Sequence, residues 1–507
     1  MANAAIELKN ITKTFGNVVA NKDVTLVVNR GEILSILGEN GSGKTTLMNM
    51  ISGIYFPDEG SIFIDGEEVV IRSPRDAFKY KIGMIHQHFK LVDVFNATEN
   101  IVLGIQEGKY DIKAAEKVIK ETCDKYGFEL DFNKKIYDMS VSEKQTVEIM
   151  KVLYRGADIL ILDEPTAVLT PQETQKLFNV LRRMRDDGKA IIIITHKLHE
   201  VLSLSDKVAV LRKGEYIDTV ETKYATETSL TEMMVGEKIS LDIERPEPRN
   251  SEDRLIIKGL DCYDSDGIKV LDDMTFTAKS GEILGIAGIS GSGQRELLEA
   301  IAGLQKLSGG EIIYNDPKTN KAENLRNKTP MEIRNLGVRL SFVPEDRLGM
   351  GLVGNMGITD NMMLRSYRKG KTMFLERKEP KKLANKIIED LKVVTPDANT
   401  PVRRLSGGNV QKVLVGREIA ASPTVLMAAY PVRGLDINSS YTIYNLLTEQ
   451  KEKGVAVIFV GEDLDVLIDL CDRILVMSGG RVTGILDGRT AKKEEIGLLM
   501  TKAKEVE

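Results

Sequence analysis

The chain repeats itself, and that repetition constrains its fold more than any other feature. Gly31-Glu32-Ile33-Leu34 returns as Gly281-Glu282-Ile283-Leu284. Landmarks then follow in one order: Lys44 pairs with Gln294, Gln87 with Glu345, Ser140 with Ser406, Asp163 with Ala429, His196 with Glu462 and Asp206 with Asp472. The last four pairs are separated by one constant interval, which excludes chance alignment. Solenoids use units of roughly 20 to 50 residues and at least three of them. Two halves of a 507-residue chain instead match a duplicated domain, each half near the roughly 250 residues that one core supports. The boundaries expected are 1–236 and 254–507. The linker expected is 237–253, where Pro246, Pro248 and several charges interrupt any helical periodicity.

In both halves, short apolar runs alternate with amphipathic stretches, the pattern of an α/β fold around a largely parallel sheet. The stretch between the first glycine-rich loop and Asp163 is helix-rich, with one helix expected over Ala114 to Asp124, and reads as a helical subdomain. Lys plus Arg total 70 and Asp plus Glu 75, so no basic excess drives binding to a phosphate backbone, and nucleic acid is not an expected partner. Cys123, Cys262 and Cys471 form no C-x-x-C pair and suit a reducing compartment. Met1 to Leu8 meets charge before any apolar run, so no signal peptide is expected. Ile159–Leu162 and Ile191–Ile194 fall far short of the ~20 residues that span a bilayer, so a membrane role requires a partner.

Gly38-Glu39-Asn40-Gly41-Ser42-Gly43-Lys44-Thr45 fits G-x-x-x-x-G-K-[ST], after the strand-like Glu32 to Leu37 and before the helix-like Thr46 to Ser52. Its glycines let successive N–H groups face phosphate oxygens at a helix N-terminus. Lys44 adds positive charge and Thr45 a Mg²⁺ ligand. Ile159 to Leu162 delivers Asp163 and Glu164, one suited to holding Mg²⁺ and the other to polarising a water aimed at a γ-phosphate. Ile191 to Ile194 delivers Thr195 and His196 to the same edge of the sheet, where His196 can meet that phosphate. His86, His88 and His199 have no acid or cysteine at ligand spacing, so a metal cluster is not expected there.

This ordered set, with Gln87 after a strand and the Ser140 motif, resembles an ABC ATPase. The tandem length, the run Glu164-Pro165-Thr166-Ala167-Val168-Leu169-Thr170-Pro171-Gln172-Glu173, and Arg433-Gly434-Leu435-Asp436 resemble the duplicated ATPases of sugar and nucleoside importers. His86-Gln87-His88-Phe89 followed by Thr98-Glu99-Asn100-Ile101 looks most like the nucleoside branch. The resemblance implies two tandem P-loop domains, each a RecA-like α/β core with an antiparallel β subdomain and a helical subdomain. It further implies ATP and Mg²⁺ as ligands, with Thr45, Gln87 and Asp163 toward the metal, Glu164, His196 and Gln87 toward catalysis, Phe15 against adenine, and Thr46 beside the phosphates. The implied partners are two integral-membrane permeases and, through them, an extracytoplasmic substrate-binding lipoprotein, with the chain at the cytoplasmic face of the membrane. Phe89 to Asn100 is the segment expected against a permease, although its apolar residues suit a subdomain core equally.

In that family each ATP lies between the phosphate loop of one unit and the signature motif of the other. Half one carries every expected loop and acid residue, but Met139-Ser140-Val141-Ser142-Glu143 replaces L-S-G-G-Q and puts Ser142 where backbone must approach phosphate. Half two keeps Leu405-Ser406-Gly407-Gly408-Asn409 and Asp436. It loses the loop lysine and hydroxyl to Gln294 and Arg295, and the acids and histidine to Ala429, Tyr430 and Glu462. Head-to-tail pairing therefore implies one hydrolytic site, and one degenerate site that also includes Glu345, Ser140 and Ser142.

Overall fold

The computed structural model describes residues 4–16, 18–86, 89–104, 112–167, 169–195, 197–236, 243–249, 251–264, 266–289, 291–335, 340–344, 346–364, 366–367 and 375–501. Gln87, His196 and Glu345 lie outside them. The chain divides into two compact units, Met1–Ser240 and Leu241–Glu507.

Unit 1 is organised around five parallel strands in the order Lys207–Arg212, Ile33–Leu37, Ala190–Ile194, Ile159–Asp163 and Ile82–Ile85. Such strands are covered on both faces, which explains their unbroken apolar runs. Alternation sends Ile159, Ile161, Ile192 and Ile194 into one core cluster with Leu47 and Met48, and Leu160, Leu162, Ile191 and Ile193 into another with Val147 and Phe178. Beyond this core, Glu215–Glu221 turns antiparallel, and Val18–Asn29, Ala4–Phe15, Glu59–Ile64 and Glu67–Val69 extend the sheet as an antiparallel arm.

Unit 2 repeats the plan. Leu340–Val343, Val425–Ala429, Ala456–Val460, Ile283–Gly288 and Arg473–Ser478 form the parallel set, closed by antiparallel Arg481–Asp487. Its antiparallel arm is a separate sheet of Lys269–Lys279, Asp253–Tyr263, Leu307–Asn315 and Ala322–Asn324. In each unit the strand that leads into the glycine-rich loop lies between two later strands, so its carboxyl end opens at a topological switch point.

The duplication reaches individual hydrogen bonds. Asp206 accepts from the Ile33 amide at 2.8 Å, and Asp472 accepts from the Ile283 amide at 2.8 Å. In the helical parts, Asn100 and Asn361 are buried and accept from the amides of Val92 and Val353, both at 2.8 Å. Those parts comprise Ala97–Val102, Ile112–Tyr126 and Val141–Tyr154 in unit 1, and Ile358–Met363, Lys378–Asp390 and Gly407–Ala420 in unit 2. Within the segment expected against a permease, the two alternatives divide: Leu91 packs on the core, whereas Val94 is 65% exposed.

Residues 243–249, expected within the linker, are bonded to unit 2. Arg245 donates to the carbonyls of Ile468 and Cys471 at 2.6 and 2.7 Å, at the carboxyl end of the helix Leu464–Leu470, where a cation is favoured. Lys451 donates to the Pro246 carbonyl and also holds Asp472. Among the described residues, no helix is long and apolar enough to cross a membrane.

Candidate functional site

The strand Ile33–Leu37 ends at Gly38, and the helix Lys44–Ile51 begins after Gly43, so the loop between them exposes the amides of a helix N-terminus. Close packing imposes the glycines. A methyl group on Gly38 would lie 2.3 Å from the Leu211 carbonyl oxygen, and one on Gly43, whose φ is +93°, would lie 2.3 Å from that of Ala20. Asn21, fully buried on the neighbouring strand, donates to the Gly43 carbonyl at 3.2 Å.

Lys44 is 8% exposed, and its ammonium donates to the carbonyls of Gly38 at 2.6 Å and Glu39 at 3.0 Å. Burial lowers its pKa, while Glu164, Asp163 and Glu39 work against that shift. Asp163 shows the converse: burial first, then the charge of Glu164, pushes its carboxyl up to about 6, partly offset by Lys44. Strand alternation turns Asp163 to the face on which the helix Lys44–Ile51 packs. Glu164 then leaves the strand at φ +47°, with its amide on the Ile194 carbonyl at 2.8 Å. A bulky residue in the left-handed region is costly, and such positions cluster where geometry serves chemistry.

The same loop offers unused capacity. Ser42 Oγ is buried and has no partner among the described residues, and Thr45 is exposed at the start of the helix. A hydroxyl, a carboxylate and convergent amides suit a triphosphate with a hard cation such as Mg²⁺, which takes oxygen ligands and keeps some of its water. Phe15 is 44% exposed and meets Tyr55 edge to face at 5.2 Å, so an aromatic surface stands open at the end of the arm.

In unit 2 the same backbone carries different chemistry. Gly293 has φ +96°, and its methyl group would meet the Val270 carbonyl at 2.6 Å and the Leu271 side chain at 3.1 Å. The polar neighbour seen beside Gly43 is thus apolar here. Gln294 is 2% exposed and donates to the Ile289 carbonyl at 3.1 Å. Arg295 turns away to Glu299 at 2.7 Å. Ala429 is buried, and Tyr430 holds φ +46° with its amide on the Val460 carbonyl at 2.9 Å. Glu462 pairs with Arg433 at 3.3 Å.

The two signature loops also differ. Ser140 caps the helix Val141–Tyr154 in a box with Glu143, and Lys134 holds Glu143 through both carboxylate oxygens at 2.8 Å. Ser406 caps the helix Gly407–Ala420, and Asn409 turns back to Ser406 Oγ at 2.9 Å. A methyl group on Gly408 would lie 2.8 Å from Ser439 Oγ, and Asp436 accepts from the Ser439 amide at 2.7 Å as the cap of the next helix. Sequence reasoning placed Ser42 in the phosphate loop but did not single out Asn21 or Arg347. Arg347 donates to the Arg433 carbonyl, and its Nη1 lies 3.1 Å from where a methyl group on Gly407 would stand. These contacts join distant segments and leave no local motif.

Such a loop, closed by an acid-bearing strand, is a nucleotide site, and the ABC transporter family matches residues 21–167 and 271–431. The chain therefore belongs to the ABC transporter family, with the family's ATPase domain present twice. The Guanosine import ATP-binding protein NupO of Bacillus subtilis is 41% identical over 98% of this chain and 97% of its own length. The Nucleoside import ATP-binding protein NupA of Lactococcus lactis is 40% identical over 99% of both chains. The Glucose import ATP-binding protein TsgD13 of Haloferax volcanii is 39% identical over 98% of this chain and 95% of its own length. The protein is a tandem ATP-binding ATPase, similar along almost its whole length to the ATP-binding proteins of import systems.

Proposed function

We propose that this chain drives solute import by hydrolysing one ATP at a composite site: the loop Gly38–Thr45 and its acids from unit 1, and Ser406, Gly407, Gly408 and Asn409 from unit 2. The observation that carries this reading is the one-sided pattern of loss. Unit 1 keeps the buried Lys44 and Asp163 and the half-buried Glu164 but has Val141 and Ser142 in its signature loop. Unit 2 keeps both signature glycines but has Gln294, Ala429 and Tyr430 at the phosphate loop and acids. Unconstrained drift would not divide the losses so that one complete set remains.

In this reading Lys44 and the loop amides hold the β- and γ-phosphates, and Phe15 stacks adenine. Thr45, Asp163 and Gln87 would hold Mg²⁺, which would supply neutralisation of phosphate charge. Glu164 polarises a water whose oxygen bonds to the γ-phosphorus as the bond to the β–γ bridging oxygen breaks. ADP and phosphate leave, the water's proton passes through the carboxylate to solvent, and His196 contacts the departing phosphate. Positioning and charge stabilisation are what this chemistry requires. The second site, with Gln294, Arg295, Glu345, Ala429, Tyr430, Glu462, Ser140 and Ser142, does not hydrolyse.

Membrane permeases receive the resulting motion, two of them in the family pattern, fed by an extracytoplasmic binding lipoprotein. Exposed Val94 in unit 1 and Leu348, Met350 and Val353 in unit 2 offer apolar contact surface. Nucleoside cargo is favoured by the NupO and NupA likenesses and by the run from His86 to Ile101. A monosaccharide is the alternative, supported by TsgD13. Uptake of labelled guanosine against glucose or ribose, in vesicles carrying the permeases, decides between them.

The composite site is tested by Ser406→Asp against Ser140→Asp. Aspartate preserves the helix cap but places a carboxylate where phosphate must come. Ser406→Asp is expected to stop hydrolysis and Ser140→Asp to leave it near the wild-type rate. Equal effects of the two would sink the reading.

A further inference from the structure

Three side chains of unit 1 tie the turn that carries Glu164 to the segment that carries His196. After Glu164 the chain turns back, with the Ala167 amide on the Glu164 carbonyl at 3.2 Å. Thr166, within that turn, is 2% exposed, and its hydroxyl donates to one carboxylate oxygen of Glu200 at 2.5 Å. The other oxygen takes the Lys197 ammonium at 3.0 Å, and the same ammonium donates to the Thr166 carbonyl at 3.1 Å. The three residues thus form a closed ring. Beyond it, the Lys197 amide donates to the hydroxyl of buried Thr195 at 3.1 Å. His196 itself lies outside the described residues, but its two chain neighbours are both held.

An acid in the first turn of the helix Leu198–Leu204 could serve that helix alone, since a carboxylate there is favoured by the dipole. Unit 2 shows that the fold does not need it. At the constant interval that pairs Asp163 with Ala429, Thr166 corresponds to Val432, Lys197 to Asp463 and Glu200 to Val466. The backbone is kept: the Arg433 amide meets the Tyr430 carbonyl at 3.1 Å, and the helix Leu464–Leu470 forms in the same place. Val432 and Val466 pack on the hydrophobic core, and Asp463 accepts from the Asp465 amide of its own helix at 2.9 Å. A polar crosslink in one unit is therefore plain apolar packing in the other. Holding a carboxylate and a buried hydroxyl in place is a desolvation cost that valine avoids, and only the unit with Glu164 and His196 bears it.

We propose that Glu200 is a positioning residue for ATP hydrolysis: by binding Thr166 and Lys197 together, it fixes the turn bearing Glu164 against the segment bearing His196. This rests on the reading of Glu164 as the acid that polarises the attacking water. Glu164 leaves its strand at φ +47°, a conformation that persists only where the surroundings determine it, and the ring supplies such surroundings.

The test uses the full-length chain with Thr166 and Glu200 both changed to Val, which installs the pair that unit 2 already packs. This double variant is expected to keep its thermal stability and a KM for ATP within about twofold of wild type, while kcat falls about thirtyfold, inside the roughly hundredfold that a displacement of ~1 Å can cost. Thr166→Val alone should lose at least tenfold in kcat, and Thr166→Ser, which restores the hydroxyl, should recover to within about threefold of wild type. Wild-type kcat in the double variant overturns the assignment. So does a loss shared equally by kcat and ATP affinity, or a serine variant no better than valine, since either marks a merely structural role. Glu164→Gln separates this role from the reading beneath it. If Glu164→Gln stops hydrolysis while the double variant does not, only the positioning role of Glu200 falls; if Glu164→Gln leaves hydrolysis running, the assignment of Glu164 itself falls.

Discussion

The two glycine-rich loops share a backbone and almost none of their electrostatics. Gly43 and Gly293 stand at φ +93° and +96°, and Glu164 and Tyr430 at +47° and +46°. Lys44 and Gln294 both reach back to loop carbonyls from buried positions. Yet the buried Lys44 and Asp163 with the half-buried Glu164 make a charged cluster, whereas Gln294 and Ala429 with Tyr430 make a neutral one. Loop shape is enforced by packing against neighbouring strands, which folding alone maintains. Charge in the same place is a burden on folding that only a ligand repays, so it persists where it is used.

The sharpest way to break this comparison is at the strained pair. Glu164→Gln is expected to reduce steady-state hydrolysis at least a hundredfold while ATP binding survives, as a colorimetric phosphate assay and a binding titration would show. Tyr430→Phe, at the matching backbone position, should stay within about twofold of wild type. Comparable losses from both would make the units equivalent motors. Next in size is the lysine. Lys44→Ala removes charge-assisted contacts of about 1.5 to 3 kcal/mol, so ATP affinity should fall roughly 10- to 150-fold. Gln294→Ala should leave turnover unchanged, and an equal loss there would reveal a working second loop.

Much of this architecture could be read before any coordinates, because its signals are local. The run Ile191 to Ile194 is wholly apolar since both faces of its strand are covered, and Gly43 is glycine because a positive φ and the Ala20 carbonyl permit nothing larger. Other features depend on contacts between distant segments. Asn21 reads as an ordinary strand residue until it is found bonded to Gly43, and Arg347 lies far in sequence from the Gly407 it covers. Gly408 changes meaning too. Besides the close approach to phosphate expected of it, the Ser439 hydroxyl, 2.8 Å from where a methyl group would stand, crowds a side chain there within unit 2. The acid Asp436, read as a retained site residue, serves here as the cap of the helix Ile437–Glu452.

If shape is a folding property in both units, Gly43→Ala and Gly293→Ala should cost similar stability, about 1 to 3 kcal/mol each from the forced left-handed conformation and the clash. Hydrogen exchange, which reads each unit separately, measures this. A loss confined to Gly43→Ala would show that unit 2's loop is no longer under the same packing constraint.

The smallest effect concerns the burden of charge directly. In the nucleotide-free protein, Asp163 titrates at about 6 against an ordinary 3.8, so the folded state holds this proton more tightly than the unfolded chain does. Stability contributed by the protonated acid is therefore complete below about pH 4. It declines as the pH rises toward 6, and above that the ionised carboxylate is a net cost. Asp163→Asn removes that cost. The variant should be more stable than wild type at pH 7.5 by up to about 2 to 3 kcal/mol, since one pKa unit corresponds to roughly 1.4 kcal/mol, with loss of attraction to Lys44 reducing the gain. Near pH 4 the two proteins should converge, as urea unfolding at both pH values would show. Unit 2 has in effect made a similar change already, with Ala429 in the matching place. A variant less stable at pH 7.5, or a difference that does not vary with pH, would mean that Asp163 supports the fold and that its loss from unit 2 had to be compensated elsewhere.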